Sequence, residues 1–272
     1  MQRKSSYSVK LLSVIVPAYK QGKTIVRDIK NIQKELEKLD CHYEIIVVVD
    51  GLVDNTLKKI LPYKSSRIKI LAYHKNEGKG HAIRYGMLHA KGDVIGFIDA
   101  GMELNPKGLA ILLSDFQKYH ADIVIGSKRH PQSRVVYPFK RRVISYLSQK
   151  FIKLLFGLDV TDTQVGLKFF RRSVVRKVLP RLLVKQFAFD VEILVVARYL
   201  GYTRIYEAPI ELTHTFEGSL ISHSMVKSLY NTFWDTCAVF YRLKMKHYYD
   251  QKRYKHPKSL SRIKVTVSQN HP

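Results

Sequence analysis

Short, nearly uninterrupted apolar runs occur in the first hundred residues, and each ends in polar or turn-forming residues. Residues 12–16 lead into Pro17-Ala18-Tyr19, residues 45–49 into Asp50-Gly51, and residues 94–98 into Asp99-Ala100-Gly101. Apolar runs without alternation are typical of strands buried on both faces, as in parallel sheets. Because ligands of open α/β sheets bind at the carboxyl ends of the strands, the pattern predicts that Asp50 and Asp99 face one crevice.

Segments with helical spacing of apolar residues separate these runs. Helices are predicted at residues 21–39, 55–61, 80–90, 106–119, 173–179 and 190–200, further strands at 68–73 and 121–126, and a polar segment at 159–168. Strands that alternate with helices indicate βαβ units. We therefore predict an α/β fold with a mostly parallel central sheet.

Two longer stretches, residues 138–157 and 225–249, are both amphipathic and basic. Their apolar stripes would either pack on the sheet or lie on a membrane surface, and the pattern alone leaves both open. The chain contains no apolar run of the roughly 18–20 residues needed to cross a bilayer, and its first residues lack the apolar core of a signal peptide. We expect a cytoplasmic protein held peripherally at the cytosolic face of a membrane, with no transmembrane segment.

Composition narrows the choice of partners. The 272 residues are 46% apolar, enough for a real core, and 47 basic against 22 acidic residues give a formal charge of +25. Such an excess predicts a polyanionic partner, and an anionic lipid surface or a phosphorylated substrate is favoured because no nucleic-acid-binding module is recognisable. Cys41 and Cys237 are too few for a disulfide framework or a metal cage, which favours a reducing compartment.

The motifs, taken in order, resemble a known family. SVIVPAY at 13–19, EIIVVVDG at 44–51 followed by DNT at 54–56, NEGKG at 76–80 and FIDA at 97–100 are similar to family 2 glycosyltransferases of the GT-A fold, a Rossmann-like α/β/α sandwich. GSKR at 126–129, the Arg141-Arg142 pair with Ser145, residues 162–172 and FDVE at 189–192 resemble the dolichyl-phosphate mannose and glucose synthases. The resemblance implies transfer of glucose or mannose from a nucleotide sugar, UDP-glucose or GDP-mannose, to a polyisoprenyl phosphate, with inversion.

The resemblance also implies a donor site. Its residues would be Pro17, Ala18 and Tyr19 around the nucleobase, Asp50 on the nucleoside, Gly78 and Lys79 at the diphosphate, and Asp99, Ala100 and Gly101 beside it. Asp99 would bind Mg²⁺ or Mn²⁺ and take part in catalysis. Family members usually carry a second Asp two residues later, where this chain has Gly101, so Glu103 is the remaining carboxylate that could reach the same ion.

An acceptor site is implied in the same way. Arg129, Arg141 and Ser145 match the family's acceptor-phosphate group, and Gln164, Lys168 and Arg171 would stand across the cleft, with Asp162 and Arg171 assigned to catalysis. A phosphate monoester is already largely ionised at pH 7, so its attack on a sugar requires cations that position it rather than a strong base.

These assignments predict a tail at 1–10, a GT-A domain at 11–215, a helical appendage at 216–249 and a disordered basic tail at 250–272. The sequence does not indicate an oligomeric state. Two other functions remain open: a family 2 transferase that glycosylates a sugar hydroxyl, which would need a carboxylate base, and a noncatalytic protein that binds nucleotide sugars or anionic lipids.

Overall fold

The computed structural model describes residues 8–135, 139–213 and 223–250, with side chains left undescribed at 139–142 and 223–228. In these ranges the strands are β1 (Leu11–Ala18), β2 (His42–Asp50), β3 (Ile68–Tyr73), β4 (Val94–Ile98), β5 (Ile123–Ser127), β6 (Leu167–Arg171) and β7 (Ile205–Pro209). The helices are α1 (Ile25–Leu36), α2 (Thr56–Ile60), α3 (Lys79–His89), α4 (Gly108–Lys118), α5 (Phe139–Phe156), α6 (Arg172–Val178), α7 (Phe189–Tyr199) and α8 (His223–Lys244). Short 3₁₀ helices lie at Leu61–Tyr63, Leu179–Arg181 and Tyr248–Asp250.

The strands form one sheet in the order β3-β2-β1-β4-β6-β5-β7. β6 runs antiparallel to both of its neighbours, and the other pairs are parallel. The predicted α/β class with a mostly parallel sheet is therefore confirmed. The carboxyl ends of β1, β2 and β4 lie at the same edge of the sheet, because these strands are parallel neighbours in the order β2-β1-β4.

Both faces of the sheet are covered, which explains the uninterrupted apolar runs. Val14 and Val47 face α1 and α4 in one buried cluster, whereas Ile15 and Ile46 belong to a second cluster with α3, α6 and α7. Alternate residues of a strand point to opposite faces, so a strand between two helix layers is apolar at every position.

Two strands were not predicted. β6 begins inside the predicted polar segment at 159–168, and its second residue, Lys168, is a buried lysine. β7 lies at the edge of the sheet, and its residues are mostly half-buried, so it has no long apolar run. A charged residue inside a strand and an edge position both weaken the hydrophobic signal on which the sequence prediction depends.

The two amphipathic helices α5 and α8 pack against each other. The rings of Phe151 and Phe233 stack with centroids 5.1 Å apart, and Val239 of α8 is buried in the cluster that includes α7. Other apolar residues of the pair face outward, among them Leu147, Leu154 and Trp234. One side of each helix therefore packs on the domain while another stays exposed.

In the described ranges, no helix combines the length and apolarity that a bilayer crossing requires. The predicted tail at 250–272 lies outside the described residues except for Asp250, as do residues 1–7. The predicted domain boundaries stay predictions.

Neighbouring positions on α4 provide a test of the core. Leu112 is fully buried against the sheet, whereas Ile111 is 38% exposed. Leu112→Ala should lower the free energy of unfolding by about 2–5 kcal/mol because it leaves a cavity, whereas Ile111→Ala should cost less than about 1 kcal/mol. Denaturant unfolding of both variants measures the difference, and equal losses would contradict the packing described here.

Candidate functional site

The ends of three strands enclose a cleft of about 430 Å³. As predicted, Asp50 and Asp99 line the same cavity. Its walls include Pro17, Ala18, Tyr19, Asp50, Gly78, Lys79, Asp99, Ala100 and Glu103, together with Gln186 and Phe187 from the segment before α7. The structure thus brings together nearly all the residues predicted for the donor. Gly101 is not part of this lining, and its role is described below.

Asp50 organises the loop that precedes α3. Its carboxylate is buried and accepts hydrogen bonds from the backbone N–H groups of Glu77 (2.7 Å) and Gly78 (3.0 Å) and from Asn76 Nδ2 (3.0 Å). Gly78 adopts a φ of 102°, a conformation that favours glycine. Asp50 therefore shapes the entrance to α3, and direct contact with a nucleoside stays a prediction.

Asp99 lies directly after β4 and is held from two sides. Its backbone N–H donates to the Gly166 carbonyl (2.9 Å), and Lys79 Nζ donates to its Oδ2 (2.7 Å). Any side chain at position 166 would collide with this carboxylate. The other oxygen, Oδ1, is buried without a hydrogen-bond partner. Burial raises the pKa of Asp99, although the Lys79 ammonium acts in the opposite direction.

Lys79 belongs to a chain of alternating charges. Its Nζ lies 3.2 Å from Asp190 Oδ2, and Lys168 Nζ lies 2.5 Å from Asp190 Oδ1. Burial acts to lower the pKa of Lys79, but Asp190 and Asp99 outweigh it and raise that pKa. Burial lowers the pKa of Lys168. The order Asp99, Lys79, Asp190, Lys168 balances two positive charges against two negative ones.

The prediction that Lys168 binds the acceptor phosphate is wrong. The side chain is fully buried, and its Nζ donates to Asp190 Oδ1 and to the Val165 carbonyl. Asp190 lies in the first turn of α7, whose N-cap is Ala188, so its carboxylate is available for the two lysines. The partnership of two residues 22 positions apart leaves no periodic signal in the sequence.

Arg171 was also assigned wrongly to the site. It pairs with Val94 in the β4–β6 register, whereas Leu167 pairs with Ile98, the residue before Asp99. Four strand positions separate Arg171 from the cleft edge, roughly 13 Å. Its guanidinium donates to the carbonyls of His120 and Ala121 at the opposite edge of the sheet. Its role is therefore to hold the start of β5.

The turn after Asp99 is anchored by a residue that was not predicted. Asp28 of α1 is fully buried, and its Oδ2 accepts the backbone N–H of Gly101 (2.9 Å). Gly101 has a φ of 97°, which favours glycine at this position. The residue that replaces the family's second Asp thus serves the backbone geometry of the turn.

The side chains that line the cleft suit a metal ion only in part. In the described ranges no group of three or more His, Cys, Asp or Glu side chains could hold a metal. Lys79 contacts only Oδ2 of Asp99, so the partnerless Oδ1 is still available as an acceptor, and Glu103 lines the same cleft. One or two carboxylates fit an Mg²⁺ or Mn²⁺ ion whose other ligands come from substrate phosphates and water.

A second cavity, of about 180 Å³, is lined by polar groups that include Lys128, Ser145, Asp162 and Gln164. Arg129 borders it, since its Nη2 donates to Ser145 Oγ (3.0 Å). The Asp162 carboxylate accepts the backbone N–H groups of Lys128 (3.1 Å) and Gln164 (3.3 Å). Asp162 thus organises this cavity, and its catalytic role stays a prediction. Arg141 falls in α5 at a position whose side chain lies outside the described part.

The polar cavity continues into an apolar one. A groove of about 300 Å³ between α5 and α8 is lined by Leu147, Phe151, Leu229 and Phe233. It shares Ser148, Ile152, Gln164 and Leu229 with the polar cavity. Gln164 is two residues before Gly166, which touches Asp99. The loop 162–166 therefore connects the cleft at Asp99, the polar cavity and the apolar groove. The polar cavity and the groove together suit a ligand with an anionic head and an apolar chain.

Comparisons with known proteins agree with this geometry. The model of the family described as Glycosyl transferase family 2 matches residues 13–179. Dolichyl-phosphate beta-glucosyltransferase of Dictyostelium discoideum is 34% identical over 205 residues, which cover 70% of this chain and 63% of that protein. The Saccharomyces cerevisiae protein of the same name is 30% identical over 229 residues, 76% of this chain and 68% of that one. The chain thus spans under two thirds of the Dictyostelium relative.

Solved structures show the same fold at low sequence identity. Glucosyl-3-phosphoglycerate synthase from Mycobacterium tuberculosis, in complex with Mn²⁺, uridine diphosphate and phosphoglyceric acid, aligns with a TM-score of 0.61 and 19% identity over 84% of this chain and 78% of that one. Mannosyl-3-phosphoglycerate synthase from Rubrobacter xylanophilus aligns with a TM-score of 0.68 and 15% identity over 92% and 78%. Both support the predicted GT-A architecture.

The loop geometry generates a prediction independent of activity. Asp50→Ala removes the acceptor for the Glu77 and Gly78 amides. Hydrogen bonds to a charged acceptor contribute about 1.5–3 kcal/mol, so exchange of these two amides with solvent deuterium should become roughly 10- to 100-fold faster. Hydrogen exchange followed by mass spectrometry or NMR measures this.

Asp54→Ala is the matched control, because Asp54 accepts the backbone N–H groups of Gly22 and Thr56 instead. It should leave the exchange of residues 77 and 78 unchanged. Unaltered exchange in Asp50→Ala would contradict the role assigned to Asp50.

Proposed function

The chain belongs to glycosyl transferase family 2, and we propose on that basis that it transfers glucose from a nucleotide sugar to a polyisoprenyl phosphate of the dolichyl type. The names of the curated relatives favour glucose over mannose. UDP-glucose carries an α linkage, so a β-glucosyl product corresponds to inversion at the anomeric carbon. UDP-glucose is accordingly the proposed donor, and GDP-mannose is the competing one.

One observation carries the proposal: the polar cavity beside the cleft opens into the apolar groove between α5 and α8. A water-soluble acceptor would leave the apolar groove unfilled. A neutral lipid would bring no negative charge to Lys128 and Arg129. A polyisoprenyl phosphate satisfies both, because its phosphate would meet the cations and Ser145 while its first isoprene units would cover Phe151 and Phe233.

The donor half of the reaction requires neutralisation of a leaving diphosphate. In the proposed complex the nucleobase occupies the cleft beside Tyr19, and the diphosphate lies at the N-terminus of α3, near the Lys79 ammonium. A helix N-terminus favours an anion through its backbone N–H groups. Asp99, with Glu103 in the same cleft, would hold Mg²⁺ or Mn²⁺, which supplies further positive charge to the diphosphate when bound.

The acceptor half of the reaction requires that the acceptor phosphate be positioned against the anomeric carbon. An oxygen of the acceptor phosphate bonds to the anomeric carbon as the bond from that carbon to the diphosphate oxygen breaks, and the nucleoside diphosphate departs with the electron pair. Asp190 is 2% exposed with both carboxylate oxygens on lysines, so it is poorly placed to serve as a base for a sugar hydroxyl. An ionised phosphate needs no such base, which favours it over the hydroxyl acceptor.

We also propose that the acceptor is reached from an anionic membrane surface. Leu147, Leu154, Tyr230 and Trp234 are more than half exposed on α5 and α8, and α5 also carries exposed Lys150 and Lys153. Apolar and basic side chains that share a surface suit the boundary between headgroups and acyl chains. Vesicle sedimentation with and without anionic phospholipid tests this contact.

Direct assay tests the reaction. Purified protein should convert polyprenyl phosphate and UDP-glucose, with Mn²⁺ present, into a glucosyl-phospholipid, with much less product from GDP-mannose. Arg129→Gln should raise KM for the acceptor about tenfold or more, because a charge-assisted contact with phosphate is lost, while the affinity for UDP stays unchanged.

Arg67→Gln is the control, since Arg67 contacts Tyr43 away from the cleft. A folded protein that binds UDP but transfers no sugar would support the noncatalytic alternative. Transfer to a sugar hydroxyl in preference to the lipid phosphate would support the alternative of a transferase that acts on sugar hydroxyls.

The apolar groove leads to a separate prediction. Phe233→Ser should raise KM for a long-chain polyprenyl phosphate about tenfold, because burial of an aromatic side chain against the chain is lost, and should leave KM for isopentenyl phosphate unchanged. Tyr241→Ser removes a similarly exposed aromatic from α8 outside the groove and should change neither value. Equal effects of the two variants, measured in detergent micelles, would contradict the assignment of the groove.

A further inference from the structure

The Lys79 ammonium already occupies the side of Asp99 that faces α3. Lys79 Nζ lies 2.7 Å from Asp99 Oδ2 and 3.2 Å from Asp190 Oδ2, and the Lys79 side chain is 15% exposed. The ammonium also lies 5.6 Å from the centroid of the Phe97 ring, and Lys168 Nζ lies 5.2 Å from the same centroid. The cation is therefore held by several independent contacts and is not a solvated loop lysine.

The charges that contact Asp99 leave little attraction for a second cation at that carboxylate. Lys79 and Lys168 together neutralise Asp99 and Asp190, and position 101 contributes no carboxylate because it is glycine. Of the other carboxylates that line the cleft, Asp50 accepts hydrogen bonds from residues 76–78, which leaves Glu103 as the second candidate ligand. A divalent ion that approached the free Oδ1 of Asp99 would be a few ångströms from the ammonium on Oδ2. At that separation the repulsion between charges in a partly buried site is large compared with thermal energy.

We propose that Lys79 is a built-in counterion of Asp99 that keeps divalent metal out of the donor-free protein, so that the metal enters only together with the nucleoside diphosphate. The diphosphate supplies negative charge to both cations. It draws the Lys79 ammonium from Asp99 and provides further ligands for the metal. This inference rests on the proposed donor site, but not on the identity of the sugar or of the acceptor.

Asp190 and Lys168 act as positioning residues in this arrangement. Asp190 holds Lys79 at a fixed place and would receive it again after the product has left. Lys168 occupies the other carboxylate oxygen of Asp190 and so neutralises part of its negative charge. Lys79 is therefore attracted less strongly to Asp190 than it would be to an unpaired carboxylate. Lys79 therefore remains shared between two carboxylates, and an incoming diphosphate would replace its contact with Asp99 while its contact with Asp190 is kept.

The affinity of the nucleotide-free protein for Mn²⁺ is the decisive measurement. Electron paramagnetic resonance titration should show that Lys79→Gln binds Mn²⁺ at least about tenfold more tightly than the wild type when no nucleotide is present. Lys79→Arg keeps a cation at this position and should match the wild type. Adding UDP should tighten Mn²⁺ binding strongly in the wild type and much less in Lys79→Gln.

Lys185→Gln is the matched control. It removes one positive charge from the segment that borders the cleft, but Lys185 pairs with Glu77 rather than with Asp99. Its Mn²⁺ affinity should stay within about twofold of the wild type, because that ion pair is exposed and screened. Equal affinities of Lys79→Gln and the wild type would overturn the proposal, whatever the outcome of the transfer assay.

A second measurement applies if Lys79→Gln does not fold. In wild-type protein labelled with ¹⁵N-lysine, the Nζ signal of Lys79, assigned by its loss in Lys79→Arg, should persist when Mg²⁺ is added alone and should shift when UDP follows. A shift with Mg²⁺ alone would overturn the proposal. If the Mn²⁺ titration or the Nζ signal gives the expected result but no sugar is transferred, only the proposed reaction is wrong, and the proposed role of Lys79 stands.

Discussion

The buried alternation of Asp99, Lys79, Asp190 and Lys168 is the constraint on which the rest of the site depends. Each of these residues comes from a different place in the fold: the residue after β4, the start of α3, the first turn of α7 and the second position of β6. A fully buried ammonium such as that of Lys168 is tolerated only when it is paired and hydrogen-bonded. The four elements must therefore meet in one arrangement, and two of the residues, Lys79 and Asp99, line the cleft.

This constraint also shows which parts of the fold the sequence could predict. The apolar runs that become β1, β2 and β4 are buried on both faces, so their composition alone identified them and placed Asp50 and Asp99 at one edge. β6 was missed because its buried Lys168 depends on Asp190, which is distant in the chain. Arg171 was misplaced for the same reason, since an unrecognised antiparallel strand carries its last residue away from the cleft.

The residues of the candidate site also differ in whether the sequence pattern could predict them. Residues that follow a strand directly, such as Tyr19, Asp50 and Asp99, were predicted because strand ends are visible as changes from apolar to polar. Asp28 was not, because it reaches Gly101 from the first turn of α1, where an Asp has an ordinary local explanation in the helix dipole. Gln186 and Phe187 line the cleft from a segment without periodic structure, so no pattern indicated them.

The distribution of charge separates the donor cleft from the basic excess of the chain. The two lysines of the buried chain are balanced by two carboxylates, and Asp50 and Glu103 also line the cleft, so the donor cleft does not account for the formal charge of +25. Basic side chains also lie near the polar cavity and on α5, where Arg129 contacts a hydroxyl and Lys150 is exposed. In the proposed reaction, these basic side chains would attract the phosphate head of the acceptor toward the groove. Selectivity for the donor then depends on the displacement of Lys79, a local step that only a ligand inside the cleft can bring about.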